Sequence, residues 1–111
     1  MKIYCQLKGS TFCEGQDFLR TALSTGMDIP SSDMYLIREP ANVYDSNCTQ
    51  VWCRYGGRNI RLGNVNRENA PLIASCLDSG GTARITSHTF YGLTDGKENV
   101  GLYFVVHTAC S

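Results

Sequence analysis

Hydrophobic and polar positions alternate over residues 2–8, where Ile3, Cys5 and Leu7 stand against Lys2, Tyr4, Gln6 and Lys8. A period of two marks a half-buried strand. The period lengthens after Gly15. Phe18, Leu19, Ala22 and Leu23 fall on one helical face over 16–25, and Gly26 suits the C-terminal cap. A linker turn follows over 29–32. Strand spacing returns over 34–38 and stops at Pro40, which has no amide to give to a ladder. Over 49–55, Val51 and Cys53 share one face, and Trp52 and Arg54 the other. Gly56-Gly57 marks a hairpin with a return strand over 59–62. A second helix carries Leu72, Ile73, Cys76 and Leu77. Pro71 would break a backbone bond if Asn66 were the cap, so Asn69 is the expected cap, and Gly80-Gly81 ends the helix. Two last strands, 83–90 and 101–108, flank a polar loop over 92–99.

About six short strands and two short helices, joined mostly by hairpin-like links, predict a mainly β fold. The expected form is OB-like, a small antiparallel half-open barrel. A parallel sheet would need more crossover helices. The 111 residues fit one domain spanning 1–111, and a hydrophobic share of 42% supports one modest core.

Net charge is zero, which argues against a general attraction to nucleic acid. The distribution is uneven. Arg38, Arg54, Arg58, Arg61 and Arg67 face only Glu39 and Asp45 between residues 38 and 67. No apolar run is long enough to span a bilayer, and the first residues read as a strand rather than a signal peptide. A cytoplasmic protein without membrane contact is expected. The six cysteines then read as small core residues rather than a disulfide framework. With no Cys-x-x-Cys pair, a zinc site is not expected.

No nucleophile elbow, phosphate loop or His-Glu-x-x-His is present, and His88 and His107 lie in expected strands outside any motif. The chain is therefore expected not to be an enzyme and to need no metal or cofactor. Glu39 and Asp45 share one loop, which keeps a weak metal-dependent nuclease as an alternative. The densest chemistry is that loop, residues 36–47. It leaves an apolar strand with Arg38, stops at Pro40, and presents Asn42, Tyr44, Asp45 and Asn47. Turn-forming neighbours hold Tyr44 near solvent. Aromatics over a basic groove are how small barrels bind single-stranded nucleic acid. Phe12, Tyr35, Tyr44, Trp52 and Tyr55 are the candidate rings, Trp52 reading better as a sheet-face residue. Arg38 is read either as a ligand contact or as a brace to loop carbonyls.

The run Leu-Ile-Arg-Glu-Pro-Ala-Asn-Val-Tyr-Asp-Ser-Asn at 36–47 resembles the signature of the HIRAN domain family. Two flanking landmarks agree with it. Residues 9–15, Gly-Ser-Thr-Phe-Cys-Glu-Gly, resemble the family's first strand, and 60–68 resemble its turn before a helix. The resemblance covers about residues 2–92 and implies capture of single-stranded DNA at a free 3′-hydroxyl end, in DNA repair or replication. It implies stacking by Tyr44 and Phe12, acceptance from the terminal hydroxyl by Asp45, a nearby Asn42, and a phosphate contact by Arg67. Asn64 stands where the family can have histidine, and Thr11 where it can have arginine, so this chain offers fewer phosphate contacts. A helicase or nuclease is the kind of protein partner implied. The ATP hydrolysis of HIRAN-bearing helicases does not carry over to a chain without a motor. The rival reading is a protein-interaction or inhibitor module of phage or mobile-element origin.

Overall fold

In the computed structural model, residues 1–92 and 99–110 are described. The chain order is β1 (Lys2–Lys8), α1 (Gly15–Thr25), β2 (Met34–Arg38), β3 (Thr49–Tyr55), β4 (Arg58–Val65), α2 (Ala70–Asp78), β5 (Thr82–Gly92) and β6 (Val100–Ala109). Single 3-10 turns occupy Ser10–Phe12 and Ser31–Asp33. The strands form one antiparallel sheet in the order β2-β3-β4-β1-β6-β5, curled into the expected half-open barrel.

The alternation read from the sequence is the alternation of the sheet. Ile3, Cys5 and Leu7 of β1 point inward, as do Leu102, Phe104 and Val106 of β6. They meet Val51 and Cys53 of β3 and Leu62 of β4 in one core. Helix α1 lays Leu19 and Ala22 on β4 and β6, and α2 sets Ile73 and Ala74 toward β5. Gln16 is buried yet satisfied. Its amide donates to the Val100 carbonyl at 3.0 Å and accepts from the Val100 amide at 2.6 Å. The cap of α2 is Asn69, with Pro71 in the first turn where its missing amide costs nothing.

Some expectations are corrected. The segment 9–15 is not a strand, because β1 ends at Lys8 and the chain turns at once into Ser10–Phe12. The return strand runs to Val65 rather than stopping at Leu62. Gly63 allows the extension: a Cβ there would sit 2.5 Å from the Lys8 carbonyl oxygen. Glycine thus lets β4 close on β1, with Asn64 opposite Lys8. Of the cysteines, Cys5, Cys48 and Cys53 are buried thiols, as read. Cys76 and Cys110, however, form a disulfide. They are 34 residues apart, and only the fold brings α2's last turn beside the chain after β6, with Cα atoms 5.1 Å apart. The loop expected over 92–99 lies outside the described residues apart from its ends, Gly92 and Asn99. Among the described residues, no helix is long and apolar enough to cross a membrane.

Candidate nucleic-acid interface

The loop between β2 and β3 is built by its own side chains. The Asn42 Oδ1 accepts from the Tyr44 amide at 2.9 Å and the Asp45 amide at 3.0 Å. Its Nδ2 donates to Glu39 at 3.2 Å. The Asp45 Oδ1 accepts from the Asn47 amide at 2.9 Å, closing a second local turn. Glu39 also accepts from the Cys48 thiol at 3.4 Å and lies 3.8 Å from Arg61. Hydrogen bonds from Gln50, then Asn42, hold the Glu39 carboxyl below its ordinary pKa. Burial, and then Glu39 itself, push the Cys48 thiol up to about 11, so it stays a donor.

Arg38 anchors this loop from beneath. Its guanidinium donates twice to Asp78 of α2, at 3.0 and 3.1 Å, and once to the Cys48 carbonyl at 2.9 Å. With 15% of its side chain exposed, it is a brace and lies apart from the hollow described next. These bonds fit the brace reading of Arg38, and it does not line the hollow.

The other candidates come together. Phe12, Asn42, Tyr44, Asp45, Asn64 and Arg67 line one hollow of about 440 Å³. Phe12 is 93% exposed and Tyr44 85% exposed, each presented by a turn rather than a strand. The Arg67 Nη2 donates to the Tyr44 carbonyl at 2.9 Å, and its Nε stands 4.0 Å from the Asp45 Oδ2. That arginine fixes the Tyr44 main chain and faces the carboxylate without capturing it. Asn64 accepts from Arg61 at 3.0 Å through its side-chain oxygen. Asn42 is at the rim, but its oxygen is fully engaged by the loop.

Two charged lining residues were missed by sequence reasoning: Lys8 and Glu68. Lys8 reads in sequence as one more polar position of β1, and only its register with Asn64 brings it here. Glu68 accepts from Asn66 at 2.9 Å, a bond that lowers its pKa. Lys8 and Arg67 balance Asp45 and Glu68, so the hollow has two signs of charge and no excess of either. The remaining rings lie elsewhere. Trp52 stacks on Tyr35 with centroids 6.5 Å apart, and Tyr55 meets Phe18 edge-on at 5.6 Å.

No protein-family model and no curated protein matches this sequence. Solved structures do match the fold. A protein from Lactobacillus plantarum superposes with a TM-score of 0.60 at 20% identity, over 96% of this chain and 98% of that one. The HIRAN domain of human HLTF superposes with a TM-score of 0.52 at 16% identity, over 94% of this chain and 74% of that one. The chain therefore has the fold of a HIRAN domain, as the 36–47 motif led one to expect.

Proposed function

We propose that this chain is a non-enzymatic module that captures the free 3′-hydroxyl end of single-stranded DNA in the hollow around Asp45. The observation that carries the reading is the pair of almost fully exposed rings, Phe12 and Tyr44, held beside one incompletely bonded carboxylate. The HIRAN fold supports it.

Each part has a chemical task. Rings exposed to water can stack on bases, each contributing roughly 1–3 kcal/mol. Lys8 and Arg67 attract a phosphate, Arg67 with a planar fork. The Asp45 Oδ2 has no hydrogen-bond donor within the chain among the described residues, and an ionised carboxylate can only accept. It repels an internal phosphate but takes a hydrogen bond from a terminal hydroxyl. The balanced charge of the hollow disfavours indiscriminate attraction to polyanions and so suits an end better than a continuous strand.

Fluorescence anisotropy with one oligonucleotide carrying either a 3′-hydroxyl or a 3′-phosphate tests this. A bond to a charged acceptor is worth about 1.5–3 kcal/mol, so the hydroxyl form should bind roughly 10- to 150-fold tighter. Asp45→Asn should erase most of that preference. Equal affinity for the two ends would refute end capture.

A further inference from the structure

The outward face of β1, β6 and β5 lies beyond the end pocket and carries rings of its own. Ile3, Cys5, Phe104 and Val106 fill the core, so Tyr4, Gln6, Tyr103 and Val105 stand on the opposite side of the pleat. Pairing arranges this side in rows. Lys2 and Arg84 flank His107; Tyr4 and Ser87 flank Val105; Gln6 and Thr89 flank Tyr103; Tyr91 faces Gly101. Successive rows are about 6.6 Å apart along a strand. Tyr4 is 74% exposed and Tyr103 50% exposed, and a hollow of about 420 Å³ lies among them.

Tyr91 is fixed flat across this face. Its ring lies over Gly101, where any Cβ would run into it. It stacks on Tyr103 with centroids 4.4 Å apart and an interplanar angle of 24°. Its hydroxyl accepts from the Gln6 amide at 2.7 Å, so the side chain reaches from β5 over β6 to β1. A ring held in this way loses little entropy when a base stacks on the platform it forms with Tyr103.

Charge points to the occupant. In a chain of zero net charge, these three strands contain Lys2, Lys8 and Arg84 and not one Asp or Glu. The cations lie at the two ends of the rows of rings. Lys8 borders the end pocket and also the cleft beside Tyr91 and Gly101, so the two surfaces are continuous.

We propose that the β1–β6–β5 face is a track for the nucleotides preceding the captured end. The strand leaves the end pocket at Lys8, stacks over Tyr91–Tyr103 and Tyr4, and runs with its 5′ side toward Lys2 and Arg84. This rests on the end-capture reading for its direction, while the track itself is a separate surface with its own test.

The test is affinity against length for the full chain, with oligothymidylates of two to ten nucleotides bearing 3′-hydroxyl or 3′-phosphate ends. The expected result is an affinity that rises beyond the terminal nucleotides. Tyr4→Ala with Tyr103→Ala should cut the affinity of long strands by roughly 5- to 150-fold, leaving the shortest unaffected. Lys2→Glu with Arg84→Glu changes exposed residues only and should flatten the same rise, and a thermal melt checks that each variant is folded. If the hydroxyl preference is present but length has no effect, or the rise survives both double variants, the track is wrong and end capture stands. If long strands bind equally with either end and lose affinity in the variants, the track stands and end capture fails. A nuclease-resistant protein ligand competing for Tyr4, with no oligonucleotide bound, would overturn both.

Discussion

Around one hollow, the loop from Arg38 to Cys48 and the lip of Phe12, Lys8 and Arg67 use their side chains differently. In the loop, Asn42 holds two amides, Asp45 a third, Glu39 receives the Asn42 amide and the Cys48 thiol, and Arg38 ties the end of the loop to α2. The lip is simpler. Phe12 makes no ring contact among the described residues, and Arg67 keeps most of its side chain in water. The polar density that draws the eye in the sequence is therefore largely structural. Under the proposed function, contact with DNA falls to what that structure leaves over: the two rings, one carboxylate oxygen and two cations.

The largest separation between the two sides should come from the disulfide. It anchors α2 two residues before Asp78, the partner of Arg38. Closing a loop of 34 residues is worth roughly 3–4 kcal/mol by chain entropy. Cys110→Ser should lower stability by about that amount in urea titrations, while the folded fraction still prefers the 3′-hydroxyl. Loss of that preference at full folding would show that brace and contact are not separable. Next in size is Phe12→Ala. Stacking loss should weaken DNA binding by about 1–3 kcal/mol, with stability unchanged within about 0.5 kcal/mol. Asn42→Ala should do the reverse in kind. Two loop amides lose their acceptor, partly replaced by water, for about 1–2 kcal/mol of stability, and binding weakens only as the loop loosens. If Asn42→Ala left stability untouched and removed binding outright, Asn42 would belong with the ligand contacts.

Why one side was legible and the other was not follows from range. The strands, both helices and the Asn69 cap were readable because alternation, helical spacing and proline placement act locally. The 36–47 loop was readable because Asn and Asp turns act over two or three residues. Lys8 was missed because its place depends on β4 closing onto β1 at Gly63, a pairing across more than 50 positions. The partner of Arg38 was missed for the same reason: Asp78 is 40 residues away. The Cys76–Cys110 pair depends on where the last strand ends against α2, which spacing does not encode. The turn at 10–12 was expected as strand only through the likeness of 9–15 to the family's first strand, yet an exposed ring needs no strand to hold it.

Salt sharpens the comparison with a smaller effect. Lys8 and Arg67 are the lip's cations, so Lys8→Ala or Arg67→Ala should each reduce the slope of log affinity against log salt by about 0.7 for a single strand. Arg38→Ala should leave that slope alone, because its charge is paired with Asp78 inside the protein.

The smallest effect concerns acid. Gln50 and Asn42 hydrogen bonds, with lesser help from Cys48 and Arg61, hold the Glu39 carboxyl below its ordinary value of 4.5. A folded-state value below the unfolded one means that the ionised form stabilises the loop. That contribution is fully present above the unfolded value and is lost as pH falls through the folded one. Cys48 takes no part in the transition, because its thiol titrates near 11 and remains a donor throughout. Glu39→Gln keeps the shape but removes the charge. The stability difference between the parent chain and this variant should be constant from about pH 6 to 8 and shrink only below the ordinary carboxylate value. Melts from pH 3 to 8, about one unit apart, follow both chains across that window. Parallel curves down to the acid limit would mean that Glu39 does not hold the loop by its charge.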